Sequence, residues 1–199
     1  MASGKVVVIT GCSRGVGLGL VQEYAKRGWQ VVATCRSPEK ADQLKSIAQD
    51  RPDMKVFACD ISTDESITAC VSAIRSSGIS KVDLLINNAG VSNRDHPDDP
   101  ASTTDRAEFN SIFNTNVTGP LSVTKAMAGL LEASSHPVVI NISSLLGSIS
   151  SSSRWYYYAF LNIFILMEPN IHFQSKALKM TRNQKAYYRK LWSCERKHV

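Results

Sequence analysis

Three glycines set the first chemistry this chain offers. They stand in Thr10-Gly11-Cys12-Ser13-Arg14-Gly15-Val16-Gly17, directly after the apolar run Val6-Val7-Val8-Ile9. A β-branched run of that length reads as a strand, and the glycine-rich turn after it has the form that cradles a phosphate. Gly11 lets the chain turn off the strand, Gly15 lets backbone N–H groups approach a pyrophosphate, and Gly17 lets the next helix pack closely. The helix N-terminus adds free N–H groups and a positive dipole end. A tight connection without a ligand is the other reading of the same turn. A second apolar run, Gln30 to Cys35, ends at Arg36. In a dinucleotide fold that point faces the adenosine ribose, where a cation accommodates a 2′-phosphate and an acid binds the hydroxyl. Arg14 reaches towards the same phosphate. The pair favours NADPH over NADH; two merely solvated arginines are the alternative.

The elements that must hold these groups alternate along the chain. Gly19 to Arg27 predicts a helix closed by Gly28. Ser37 and Pro38 predict a capped helix running to about Gln49. Lys55 to Cys59 predicts a third strand ending at Asp60, and Thr63 opens a helix towards Ser76 with Ile67, Val71 and Ile74 on one face. Val82 to Ile86 predicts a fourth strand, and residues 91–107 a polar, proline-punctuated loop. Glu108 to Leu131 predicts a long helix, with a kink at Gly119-Pro120 as a variant, and Pro137 to Ser144 a fifth strand. Strands alternating with helices imply right-handed crossovers and a mostly parallel sheet with sites at the strand C-terminal ends. The expected fold is a Rossmann-type, doubly wound α/β domain.

Composition fits one such domain. Of 199 residues, 43% are hydrophobic and 20% charged, which is ordinary for a globular chain and rules out the disordered class. No apolar run approaches the roughly 18 residues of a membrane span, and the N-terminus carries no leader pattern. The five cysteines lack metal spacing, so no metal site is expected; free thiols in a reducing cytosol fit best. The net charge of +6 is uneven, because residues 154–199 hold nine Lys/Arg against Glu168 and Glu195. The rest of the chain is close to neutral. That asymmetry divides the chain into unlike parts, 1–159 and 160–199. A basic tail mixing Tyr187, Tyr188 and Trp192 with cations admits a nucleic-acid or membrane-surface role. A solvated tail is the preferred reading, and no nucleic-acid partner is expected.

Three motifs make the chain resemble the short-chain dehydrogenase/reductase family, in its carbonyl-reductase or C-factor-like branch. They are the Thr-Gly-x-x-x-Gly-x-Gly turn, Asn87-Asn88-Ala89-Gly90 straight after the fourth strand, and Ser143-Ser144-x-x-Gly147 after the fifth. The resemblance implies a cofactor site of Thr10, Gly11, Ser13, Arg14, Gly15, Val16, Gly17, Arg36, Asp60, Ile61, Asn88, Ala89 and Gly90. Asp60 would contact the adenine, and the small residues at 88–90 would permit close approach. The buried asparagines at that strand end need side-chain partners, and the resemblance implies that they tie the central sheet together. It also implies a catalytic set of Asn116, Ser144, Tyr158 and Lys176. Asn116 would hold a relay water through its backbone, and Ser144 would hydrogen-bond the substrate carbonyl. A tyrosine near Tyr158 would transfer the proton, and a lysine one turn on would lower its pKa. The implied activity is NADPH-dependent hydride transfer on a small carbonyl or alcohol, in the cytoplasm, with oligomeric state open.

The chain departs from that pattern after Tyr158. Four residues beyond Tyr156, Tyr157 and Tyr158 stand Phe160, Leu161 and Asn162, none of them lysine. The nearest family-like lysine is in Ser175-Lys176-Ala177, eighteen positions past Tyr158. No valine-rich sixth strand follows, so the domain is expected to be incomplete at its C-terminal end. The readings for 160–199 are a truncated isoform or a mistaken gene model, with an impaired NADP-binding or regulatory protein as the functional alternative.

Overall fold

The computed structural model describes residues 4–92 and 105–143. Within them five parallel strands alternate with helices: β1 (Val6–Ile9), α1 (Gly15–Lys26), β2 (Gln30–Cys35), α2 (Asp42–Gln49), β3 (Lys55–Ala58), α3 (Asp64–Ser76), β4 (Leu84–Asn87), α4 (Arg106–Phe113), α5 (Gly119–Glu132) and β5 (Val138–Asn141). The strands lie in the order β3-β2-β1-β4-β5. Chain direction across the sheet therefore reverses between β1 and β4, the place where open α/β sheets form a crevice.

Alternation along each strand divides the core between the two faces. Val6 and Val8 of β1, Val32 of β2, Leu85 of β4 and Val139 of β5 pack with Ile67, Cys70 and Ile74 of α3 and Val123, Met127 and Leu131 of α5. Val7, Ile9, Val31, Ala33, Leu84 and Ile86 face the other way, onto Leu18, Val21 and Ala25 of α1 and Leu44 of α2. A strand buried on both faces must be apolar at every position, which is why β1 reads as an unbroken β-branched run. Each such side chain removed from water contributes about 1.5–3 kcal/mol. The expected doubly wound, mostly parallel α/β fold is the one found.

Several boundaries differ from expectation. Helix α1 starts at Gly15, four residues before the predicted start, so Gly15 and Gly17 lie in its first turn. Its end is as predicted, with Gly28 in the left-handed region at φ 73°. The single helix expected from Pro38 to Gln49 is two pieces. A 3-10 turn over Pro38–Lys40 stops at Ala41, whose φ −97° and ψ 67° are not helical, and Ser37 caps nothing. Ala41 is buried beside Leu44 under β2, so burial overrides helix propensity there. Thr63 does cap α3, accepting from the Ser66 N–H at 3.4 Å.

The helix expected over Glu108 to Leu131 is also interrupted. A π-turn, Asn114–Thr118, separates α4 from α5. Pro120 has no N–H to offer the Asn116 carbonyl, and the wider ring answers that shortage locally, with the Gly119 N–H reaching the Asn114 carbonyl. The proposed division at 159/160 lies outside the described residues. Among the described residues no helix is long and apolar enough to cross a membrane.

Candidate dinucleotide-binding site

The glycine-rich turn meets the loop after β4 at the strand C-terminal ends. Gly11, at φ 72°, passes so near Ala89 that a Cβ on it would lie 2.7 Å from the Ala89 Cα. A Cβ on Gly17 would lie 2.5 Å from Asn88 Nδ2 and closer still to the Gly11 carbonyl oxygen. Gly15 has open space around its Cβ position and a φ of 59°, so within the protein it is the left-handed backbone that asks for glycine there. Hydrogen bonds fix the same meeting. Thr10, 2% exposed, accepts through Oγ1 from the N–H groups of Asn88 and Ala89, each at 3.0 Å. Asn88 Nδ2 donates to the carbonyls of Thr10 at 2.8 Å and Gly11 at 3.1 Å. One residue earlier, Asn87 Nδ2 donates to Thr124 Oγ1 at 3.1 Å and Asn141 Oδ1 at 2.9 Å, joining β4 to α5 and β5. The two Nδ2 groups thus tie the sheet together, while the buried Asn87 Oδ1 has no partner among the described residues.

A cleft of about 820 Å³ opens above this junction, within the usual range for cofactor sites. Gly11, Ser13, Arg14, Gly15, Val16, Gly17, Arg36, Asp60, Ile61, Asn88, Ala89 and Gly90 all line it. Of the expected cofactor residues, only Thr10 stands behind the wall rather than in it, as the anchor of the Asn88 loop.

The electrostatics of the cleft suit an anion at one end. Helix α1 has no side-chain cap and no acidic residue in its first turn. The contrast with α3 and α4 is direct, since both carry a side-chain cap and first-turn acids. The first-turn N–H groups of α1 thus have neither a cap nor an acid of their own turn to offset the dipole. Exposed Arg14 and Arg36 add two cations. Asp60 lies further along. Burial works to raise its carboxyl, but the hydroxyl and N–H of Ser62, with the Arg36 charge, outweigh that and hold it below the usual carboxylate value. Ser62 Oγ donates to Asp60 Oδ1 at 2.7 Å and Ser62 N at 3.0 Å.

The far wall comes from the interrupted helix. Glu108, Ser111, Ile112 and Thr115 line the cleft at the spacing of one helix face, a signal present in the sequence and not read from it. Asn114 Nδ2 donates to the Ser62 carbonyl at 2.8 Å. Gly119 comes so close that a Cβ on it would sit 2.6 Å from the Ile61 carbonyl oxygen. Those two contacts press the π-turn against the loop after β3. Asn116 points its side chain at Val91, accepting from Val91 N and donating to Val91 O, both at 2.8 Å. That clasp was not legible beforehand, because its partner is backbone 25 residues away. Ser144, Tyr158 and Lys176 lie outside the described residues. Among the described residues no group of three His, Cys, Asp or Glu could hold a metal.

The residues present fit a dinucleotide: an uncapped helix N-terminus, glycines where close approach occurs, two cations and an ionised Asp60. Comparison with known proteins points the same way. A family model described as short chain dehydrogenase matches residues 5–159. Sulfoacetaldehyde reductase of Chromohalobacter salexigens is 32% identical over 142 residues, 71% of this chain and 54% of that protein. Human retinol dehydrogenase 5 is 33% identical over 157 residues, 78% of this chain and 47% of its own length. The chain thus spans about half the length of the curated relatives it matches. Among solved structures, the NADPH-bound carbonyl reductase from chicken fatty liver superposes with a TM-score of 0.71 at 27% identity, over 81% of this chain and 66% of that one. The carbonyl reductase Sniffer of D. melanogaster gives 0.71 at 26% identity, over 79% and 68%. A family match running from before β1 to beyond β5, on a sheet whose strand ends carry the family's turn, places this chain in the short-chain dehydrogenase family.

Proposed function

We propose that the chain binds NADPH in this cleft, in preference to NADH, and that its reaction is hydride transfer between that cofactor and a small carbonyl or alcohol. The observation that carries the cofactor reading is the uncapped, acid-free N-terminus of α1 flanked by Arg14 and Arg36. The 2′-phosphate is the group two cations would distinguish. Asp60, ionised and held by Ser62, suits the adenine end. The NADPH held by the chicken carbonyl reductase supports this choice, and the reductases and dehydrogenases among the relatives support the substrate class. Four free, buried cysteines among the described residues fit a reducing cytosol.

When bound, the nicotinamide supplies or takes the hydride. Asn116, Ser144, Tyr158 and Lys176 are the residues we assign to the proton and the carbonyl, with Asn116 held by Val91. The eighteen positions between Tyr158 and Lys176 favour a second reading, cofactor binding with impaired turnover. One helical turn normally brings such a pair within about 5–6 Å at Cβ, and this spacing cannot do so on a single helix.

Titrating the full chain with NADPH and NADH, followed by nucleotide fluorescence, tests the first reading; absence of NADPH binding sinks it. NADPH oxidation with generic carbonyls tests the second. We expect turnover at least about 10²-fold below that of an intact relative, the scale of lost acid–base help. Brisk oxidation abolished by Tyr158→Phe would show instead that Lys176 returns to its partner.

A further inference from the structure

Asp60 stands at the cleft wall just after β3, and its neighbours hold both its backbone and its carboxylate. Its N–H donates to Ser66 Oγ of α3 at 2.8 Å, and its carbonyl accepts from Thr63 N at 3.4 Å. The carboxylate accepts from Ser62 Oγ at 2.7 Å and from Ser62 N at 3.0 Å, both on Oδ1. A carboxylate oxygen has about two lone-pair positions, so Oδ1 is used up within the protein. Oδ2 is the oxygen left for a ligand in the cleft that Asp60 lines.

Ser62 is itself held from the opposite wall. Asn114 Nδ2 donates to the Ser62 carbonyl at 2.8 Å, across 52 positions of sequence. Gly119 lets the π-turn come that near, since a Cβ there would collide with the Ile61 carbonyl. Asn114, Ser62 and Asp60 thus form a chain of hydrogen bonds running from the π-turn to the carboxylate. Ser66 fixes where residue 60 sits, and Ser62 fixes where its carboxylate points. A solvated aspartate turns freely about its side-chain bonds; one gripped by such a supporting shell does not.

We propose that Asn114 and Ser62 are positioning residues that make the cleft specific for adenine, by holding Asp60 Oδ2 as an acceptor fixed in one place. The proposal rests on the cofactor reading above. Adenine presents a donor at its 6-amino group, whereas hypoxanthine carries a carbonyl oxygen there and its donor at N1. A carboxylate free to swing would follow the donor and accept from either base. A carboxylate held in place meets the amino group of adenine but the oxygen of hypoxanthine, an acceptor against an acceptor. Asp60, held ionised, has no proton to offer that oxygen. Specificity then comes from a movement the site cannot make, without any added contact.

The test uses the full chain with NADPH, NADH and the reduced hypoxanthine analogue of NADPH, each followed by nicotinamide fluorescence. The parent should favour NADPH over the hypoxanthine analogue at least about tenfold, the weight of one hydrogen bond to a charged group. Asn114→Ala should reduce that ratio about fivefold, the weight of one neutral hydrogen bond. The preference for NADPH over NADH should stay as in the parent, because Arg14 and Arg36 read the 2′-phosphate. In an Asp60→Ala background, Asn114→Ala should leave the base ratio unchanged, since it acts through that carboxylate. If Asn114→Ala does not fold, Ser62→Ala, which removes the shorter bond to Oδ1, takes its place and should also lower the base ratio. A parent that binds no NADPH overturns the cofactor reading and this proposal with it. A parent that binds NADPH and its hypoxanthine analogue equally overturns the proposal and leaves NADPH binding standing. So does a base ratio that the folded variant keeps. Equal weakening of all three nucleotides makes Asn114 a structural residue only, and overturns the proposal as well.

Discussion

The side chain of Asn116 stands against the backbone of Val91 as a neighbouring strand would, giving one hydrogen bond and taking one, both at 2.8 Å. Among the described residues no strand of the sheet pairs with Val91, which follows β4 into the cleft wall. The amide supplies the pairing the backbone lacks. Asn116→Ala leaves both Val91 groups to find water, which should cost about 2 kcal/mol and lower the melting temperature. Asn116→Asp keeps the acceptor and loses the donor, so its loss should be smaller. Equal melting temperatures for Asn116→Ala and the parent would dismiss the clasp as a stabilising contact.

Two glycines in α1 should respond in opposite ways to the same change. Gly17→Ala drives a methyl into the Asn88 amide and the Gly11 carbonyl, so the chain should lose both stability and NADPH binding. Gly19 has nothing within 4 Å of its Cβ position and lies inside the helix. Gly19→Ala should therefore stabilise by about 0.5–1 kcal/mol, read from denaturant midpoints. If Gly17→Ala proves neutral, the close approach does not exist in solution.

Arg36→Asp tests cofactor choice. A cation–phosphate contact becomes a like-charge clash, so NADPH should bind at least about 1.4 kcal/mol, or tenfold, more weakly. NADH should bind as well as before or better. NADPH affinity equal to the parent's would remove Arg36 from the 2′-phosphate site.

Asp83 should give stability its acid limb. At the opposite end of the sheet from the cleft, its carboxylate accepts from Val6 N at 2.8 Å and Ser134 Oγ at 2.6 Å, with Lys81 Nζ at 3.2 Å. Burial works to raise its pKa, and those partners outweigh it and hold it below the ordinary carboxylate value. A depressed folded pKa gives stability that is present above the unfolded value of about 3.9 and lost as pH falls through the folded value. Asp83→Asn should destabilise by about 1–2 kcal/mol at neutral pH and flatten the loss below about pH 4. An unchanged acid limb in the variant would assign it to other carboxylates.

What the sequence made legible was local. The β-branched runs and the Gly28 stop depend on neighbours a few residues away, and they fall where expected. Gly11 and Gly17 were legible from the spacing of their turn, although the atoms they make room for, on Ala89 and Asn88, come from the loop after β4. What escaped it was set by distant contacts. Ala41 breaks a helix because the sheet buries it, and Ser37-Pro38 gives no hint of that. The interruption at Gly119-Pro120 was open in the sequence as a kink, but its form was not: the π-turn lets Gly119 touch Ile61, a contact between segments far apart in the chain. Asp60 and Ser62 are an intermediate case, since the Asp-x-Ser spacing of their turn is visible locally.

The strand order also dictates when the chain can acquire its cleft. β1 finds β2 across one short crossover, pairing Val6 with Gln30, so the N-terminal half of the sheet closes cheaply. The other side of β1 waits for β4, and Val6 meets Asp83 only after 77 residues have been gathered. Closing that longer loop costs more entropy, and non-local pairings of this kind slow folding. That cost predicts that the crevice between β1 and β4 forms after the β1–β2 pair in refolding. A nucleotide bound there captures the finished molecule and has no hold on the half-folded one, so it acts as a brake on unfolding rather than as a template for folding.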